Sequence, residues 1–372
     1  MLLGGRLLVC VGSGGVGKTT TAAAMGVWAA MQGRRVLVLT IDPAKRLANS
    51  LGLREFGNAE TRITLPGGAK GELWAMMLDT QTTFDELITK MAPDRATADR
   101  ILGNRIYRTM SDTFAGSQEY MAAEKLHDVV TSGRYDLVVL DTPPVKNALD
   151  FFEAPSRLSR FFDRRIIRWF LQPYEEKRSF SLNIVSMGTS SLVFRLLGFV
   201  FGKEFLDDLS DFLLLFKDMY EGFRERHETV LKLFRSKETR FLTVCAPTEP
   251  SVEVASFFIT ELRQRLYNRG GLIVNQVHFA SSNTIDAEAI IGAQATQLSA
   301  DLEARTRASL VARLGVAHAR LRQLAASERE IIANVRKLSA PDDAFVAEIP
   351  WLERQVYDVA ALLEVAEHLF RE

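Results

Sequence analysis

Cysteine is nearly absent from this 372-residue chain: Cys10 and Cys245 are the only two, and each sits inside a short apolar run, where a free thiol reads as a core residue. Two separated thiols exclude a disulfide framework and a four-cysteine zinc site. The five histidines, His127, His227, His278, His318 and His368, lack metal-ligand spacing, so no zinc site is expected. An excess of either charge is missing too. Lysine plus arginine number 46 and aspartate plus glutamate 46, so no global field draws the molecule to nucleic acid, and no nucleic-acid partner is expected. Neither of the long stretches from Pro155 to Lys237 and from Thr284 to Arg336 contains an internal repeat or low-complexity tract. The densest apolar segment, Leu192 to Phe201, is interrupted by Arg195 and Gly198 and falls short of the about 20 residues a bilayer span needs. The opening MLLGGRLLVCVG lacks a basic leader and is read as a first strand rather than a signal peptide.

What remains is the composition of a globular protein, 47% hydrophobic and 25% charged, long enough to bury a large core. Apolar runs recur at Leu7 to Val11, Val36 to Ile41, Leu73 to Leu78, Leu137 to Leu140, Phe241 to Cys245, Leu272 to Val274 and Phe345 to Ile349. They are short and continuous, as strands buried on both faces should be. Helical patterns at Thr19 to Gln32, Ser117 to Thr131 and Ser251 to Arg269 lie between them, so the alternation predicts an α/β fold with a doubly wound, mostly parallel sheet flanked by helices. Two stretches break the alternation and read as helical. The resulting division is an α/β core at 1–154, a helical insertion at 155–237, core again at 238–283, a polar helical excursion at 284–338, and the core's last strand and C-terminal helix at 339–372.

The string GSGGVGKTT at 12–20 follows the first strand and opens an alanine-rich helix, the context that the G-x-x-x-x-G-K-[ST] phosphate loop requires. Glycines let such a loop turn its N–H groups onto phosphate oxygens, and the helix start adds unpaired N–H groups and its positive dipole end. Gly14, Gly15, Val16, Gly17, Lys18, Thr19 and Thr20 are thus the phosphate-binding candidates for ATP or ADP. Lys18 is expected at the β- and γ-phosphates, and the Thr19 hydroxyl on Mg²⁺. Asp141, ending the run LVVLD, fits a water-mediated role at the metal. Asp42, ending VLTID, could orient or deprotonate the attacking water; either could instead only cap the turn after its strand. Pro43 and the pair Pro143 and Pro144 stiffen the two loops.

The ordered set GGVGKTTTAAA, TIDPAKRLANSLG, DTPPVKNALDFFEAP, LIVNQV and EIPWLERQVYDVAAL resembles the ArsA-type ATPases, the family of the arsenical-pump ATPase and the guided-entry ATPase for tail-anchored proteins, and most of all its bacterial ArsA-like branch. The resemblance implies a P-loop NTPase that hydrolyses ATP as a dimer, with a helical subdomain inserted after the DTPP motif. Asp42 falls on the family's water-activating aspartate and Asp141 on its switch II motif. Asn275 falls on the residue reading the adenine edge, and Pro350 with Trp351 on the loop beside the base. A carboxamide can pair with an adenine edge and an indole can stack on it, although Asn275 could also be a turn residue and Trp351 a core aromatic.

One departure bears on the oligomer. Family members with the deviant loop carry a lysine where Ser13 stands, and that lysine reaches the partner's phosphates. The expected assembly is therefore a homodimer or, with the lysine supplied from outside, a heterodimer with an ArsA-like paralogue. Lys45 and Arg46 could replace the charge in cis, or simply start a solvated helix. The cysteine count supports neither the family's zinc clasp nor a metalloid site. Phe194, Leu197, Phe201, Phe205, Leu209, Phe212, Leu213 and Phe216 form an apolar stripe in the insertion; it reads as packing, or as a groove for a hydrophobic client or a membrane surface. The competing functions are a coupling ATPase, a regulatory nucleotide switch with little turnover, and a MinD- or ParA-like positioning ATPase. A cytoplasmic location, possible attachment to a membrane periphery included, is the expectation.

Overall fold

The computed structural model describes residues 4–41, 46–53, 57–113, 117–143, 199, 202–217, 219–280, 304–339 and 345–370. Its strands are β1 (Leu7–Val11), β2 (Arg35–Thr40), β3 (Thr61–Ile63), β4 (Glu72–Met77), β5 (Leu137–Asp141), β6 (Thr239–Cys245), β7 (Arg269–Val277) and β8 (Phe345–Pro350). They form one sheet in the order β3-β4-β2-β5-β1-β6-β7-β8, parallel except for the antiparallel β3–β4 pair. The helices are α1 (Lys18–Met31), α2 (Arg46–Ser50), α3 (Thr80–Met91), α4 (Arg95–Gly103), α5 (Arg105–Thr113), α6 (Ser117–Thr131), α7 (Lys203–Lys217), α8 (Tyr220–Arg235), α9 (Glu249–Gln264), α10 (Ala304–Ser339) and α11 (Val359–Phe370).

Successive strand residues point to opposite faces, and both faces are covered. Leu7, Val9 and Val11 of β1 join Leu37 and Leu39 of β2 in one cluster, packed beneath α3, α6 and α8. Leu8 and Cys10, with Val36 and Val38, face the alanines of α1 and the leucines of α11. This two-sided burial is why the strands read as unbroken apolar runs, and it establishes the doubly wound α/β sheet. The connection from β1 leads to β2 on one side of the sheet and that from β5 to β6 on the other, and the crevice above the carboxyl ends at such a switch is where these folds take ligands.

Of the apolar stripe in the insertion, Phe194, Leu197, Phe201 and the Phe216 side chain lie outside the described residues. Phe205 is exposed, whereas Phe212 and Leu213 are buried and Leu209 packs against the same cluster as β1. Helix α8 is bound to α6 by charge. The Arg226 guanidinium donates to Glu124, which is buried, and to Asp128 Oδ1 at 2.5 Å. Glu124 also accepts from the Tyr120 hydroxyl at 2.8 Å. Burial alone would raise the Asp128 carboxyl, but hydrogen bonds from His127, Arg226 and Lys90 outweigh it and hold it well below its ordinary value of 3.8.

Arg226→Ala strands the Glu124 carboxylate in the interior and is expected to cost about 3 kcal/mol at pH 7, measured by urea unfolding. Because the folded Asp128 value is depressed, its contribution is complete above 3.8 and declines as pH falls through its folded value. The gap between wild type and variant is expected to narrow in strong acid.

Candidate functional site

Strand β1 delivers the chain into the glycine loop, and β1 must end beside β6 with almost no clearance. Gly12 has φ +154°, and a Cβ there would lie 2.1 Å from the Val244 carbonyl oxygen, so a side chain is excluded. At the other end of the loop Gly17 takes φ +86° as the residue before α1. A Cβ on Gly17 would meet the Asn275 amide nitrogen at 2.2 Å. No side chain caps the start of α1 and its first turn holds no acidic residue, which leaves its N–H groups and dipole end for an anion.

Lys18, buried in the first turn, folds back so that Nζ donates to the Ser13 carbonyl at 2.7 Å. Next to it, the Thr19 hydroxyl donates to Asp141 Oδ2 at 2.7 Å, and the Thr40 hydroxyl donates to the same oxygen at 2.9 Å. Register explains the meeting: Asp141 at the end of β5 sits opposite Cys10 of β1 and Thr40 of β2. The Asp141 carboxyl is wholly buried. The neighbouring Cys10 thiol is pushed well above its ordinary value by burial and by Asp141, and Cys245 is raised to about 12 by burial. Both thiols are therefore protonated core groups.

The opposite wall comes from β7. A bulge between Val274 and Val277 turns Asn275 and Gln276 toward the loop, with Gln276 at φ +63°. The Asn275 amide donates to the Val16 carbonyl at 2.9 Å, and its oxygen accepts from the Gln276 N–H. The Gln276 amide donates to the Gly15 carbonyl at 3.3 Å. Asn275 is thus a brace for the glycine loop. Beyond β8, the backbone N–H of Trp351 donates to the Val277 carbonyl at 2.8 Å. Its half-exposed ring stacks on His278, with centroids 5.3 Å apart and planes 16° apart.

Above the loop opens a cavity of about 360 Å³. Gly15, Gly17, Lys18, Thr19 and Thr20 form its floor, and Arg46 lies on its wall. Asn49, Ser50, Thr142, Gln276, Val356 and Tyr357 complete it. Asn275, Pro350, Trp351 and Asp141 stand behind or beside the cavity rather than on its lining. Asp42, Pro43, Lys45 and Pro144 lie outside the described residues. Gln276, Val356 and Tyr357 had no role in the motif reading. Val356 and Tyr357 do fall within the same EIPWLERQVYDVAAL string, but only the fold brings them over the loop.

Ser13 is also tethered. Its hydroxyl lies 3.1 Å from the Ser251 hydroxyl, which accepts from the Ala246 N–H at 2.9 Å. The loop is thereby tied to the start of α9.

The oxygen donors suit a hard cation. Among the described residues no group of three His, Cys, Asp or Glu side chains could hold a metal ion, as a dedicated zinc site would require. Magnesium keeps several waters and takes phosphate oxygens, so a hydroxyl such as Thr19 and one buried carboxylate such as Asp141 satisfy its needs from the protein.

With the geometry in place, the chain can be set beside other proteins. The family model for anion-transporting ATPases matches residues 5–300. An uncharacterized protein of Streptomyces coelicolor is 33% identical over 169 residues, covering 45% of this chain and 40% of that protein. The ATPase ASNA1 homolog of Cryptosporidium parvum is 27% identical over 270 residues, 72% of this chain and 64% of the relative. The ATPase get3 of Aspergillus terreus is 26% identical over 278 residues, 74% of each. The first two alignments thus span less than two thirds of the relatives' own length.

Proposed function

This chain belongs to the anion-transporting, or ArsA-type, ATPase family, and from that premise we propose that it binds ATP with Mg²⁺ in the cavity over Lys18 and hydrolyses it. The observation that carries the proposal is the convergence of Lys18, the open start of α1 and Thr19 on the cavity floor, with Asp141 behind it accepting from the Thr19 hydroxyl. Bound Mg²⁺ supplies charge neutralisation at the phosphates. The Thr19 hydroxyl would hold it directly and Asp141 through water.

Lys18 exchanges the Ser13 carbonyl for phosphate oxygens and balances charge developing there. Gly14, Gly15, Val16, Gly17 and Thr20 supply backbone and helix-start N–H groups. Asp42 orients the attacking water. Asn275, beyond its two bonds to the chain, keeps donor and acceptor capacity for an adenine edge, with Pro350 and Trp351 beside the base. Nucleotide state would then alter the loops after Thr40 and Asp141, and through them the binding of a client or partner, in a cytoplasmic protein that could act at the membrane periphery. Residues 155–237 are the segment assigned to a hydrophobic client.

Ser13 supports an assembly with unequal sites. Its hydroxyl is held in cis against Ser251, and it carries no charge to offer a second subunit, so a paralogue with lysine at this place would complete the site built on Lys18. Phosphate release by this chain alone is expected to be slow. It should rise by about 10³-fold with such a paralogue present, and fall to background when Asp42→Asn replaces the wild-type chain in the mixture. Full turnover by this chain alone contradicts the unequal pair, and unchanged turnover by Asp42→Asn contradicts the role of Asp42.

A further inference from the structure

Among the described residues, helix α10 packs on the sheet domain through its C-terminal half. Glu328, Ile332, Val335 and Ser339, at steps of three and four, are buried, with Ile332 and Val335 in the cluster formed by β7 and α9. Polar bonds fix the same half. Glu328 accepts from the His278 N–H at 2.8 Å and lies 2.7 Å from its imidazole Nδ1, while Arg329 and Arg336 both reach Glu348 of β8.

The buried face does not stop where the packing stops. Followed toward the N-terminus at the same steps of three and four, it continues through Leu324, Leu321, Ala317, Leu314 and Leu310, which therefore occupy one side of the helix. Yet these leucines are exposed: Leu310 by 36%, Leu314 by 41%, Leu321 by 37% and Leu324 by 43%. An apolar stripe some 15 residues long, or about 22 Å, thus stays partly open to solvent beyond the packed half of the helix.

Charge identifies what would cover it. Residues 304–327 contain five arginines and no aspartate or glutamate, in a chain whose acidic and basic residues are equal in number over its whole length. At about 100° per residue, Arg313 and Arg320 flank the stripe on one side and Arg322 lies beyond its other edge. A second copy laid along the stripe would set arginine against arginine, which costs energy. An anionic bilayer surface meets both features: leucines enter the headgroup boundary and arginines reach back to phosphate. No described helix is long and apolar enough to cross a membrane, so such contact is interfacial.

We propose that residues 304–327 of α10 form a docking element for an anionic lipid surface. The site is separate from the nucleotide cavity and does not depend on ATP hydrolysis.

The test is co-sedimentation of the full-length chain with phosphatidylcholine vesicles made with or without phosphatidylglycerol. Binding is expected only to the anionic vesicles and weakens as salt is raised. Each arginine near such a surface is worth about fivefold in partitioning. The combined Arg313→Gln, Arg320→Gln and Arg322→Gln variant should therefore bind on the order of a hundredfold less. Leu314→Asp with Leu321→Asp should lose binding while its circular dichroism and thermal midpoint stay those of wild type, since both side chains are exposed and lie outside the buried clusters. Equal binding to both vesicle types, no binding to either, or variants that bind like wild type would overturn the assignment. So would a leucine variant that leaves vesicles unaffected but lowers the mass of the protein in solution, which would make the stripe a protein interface.

Discussion

Lys18→Gln is expected to lower ATP hydrolysis by about 10²- to 10³-fold with little change in thermal stability. The ammonium is buried at the start of α1 and now satisfies the Ser13 carbonyl at 2.7 Å. Glutamine can still donate to that carbonyl, so the loop keeps its shape, but it brings no positive charge to the phosphates. A charge acting mainly as the transition state forms should appear in kcat, and the part that binds ground-state phosphate in KM. Steady-state phosphate release in the complete assembly separates the two. A variant with wild-type kcat would remove Lys18 from the chemistry.

Gly17→Ala is expected to weaken ATP binding at least about 100-fold, for two separable reasons. The residue sits at φ +86°, where a Cβ costs about 1–2 kcal/mol. The added methyl would also meet the Asn275 amide nitrogen at 2.2 Å and Cγ at 3.4 Å, displacing the amide that holds the Val16 carbonyl. Pairing the change with Asn275→Ala removes the collision and leaves the strained φ. The double variant should therefore bind ATP more tightly than Gly17→Ala alone, a non-additivity that reports the contact directly. Additive losses, measured by calorimetric titration, would show that Asn275 does not brace the loop.

Much of the sheet could be read from sequence because its strands are buried on both faces: runs such as LLVCV and LVVLD admit few other readings. Strand β3, three residues with Arg62 exposed at its centre, has no such pattern, and its pairing with β4 is tertiary. Helices α3 and α4 left a fainter mark. Asp79 and Asp94 cap them, accepting from the N–H of Thr82 at 2.6 Å and of Thr97 at 2.7 Å, and an Asp followed three residues later by Thr at two successive starts is a usable signal.

The site shows the same division. Gly12 to Thr20 could be read locally because strand, loop and helix are contiguous, and Asp141 because a lone acid ended an apolar run. The tether of Ser13 to Ser251 spans 238 positions, and no local pattern announces it. Gln276 reaches the Gly15 carbonyl only because a bulge in β7 redirects it. Tyr357 reaches the cavity only because β8 lies beside β7 in the sheet.

The most direct test of the central claim is calorimetric titration of the purified chain with ATP, in Mg²⁺ and then in EDTA. The account predicts one saturable site per chain, tighter with Mg²⁺, and weakened by Thr19→Ala chiefly when Mg²⁺ is present. Absence of saturable binding, or binding that neither Mg²⁺ nor Thr19→Ala alters, would contradict it.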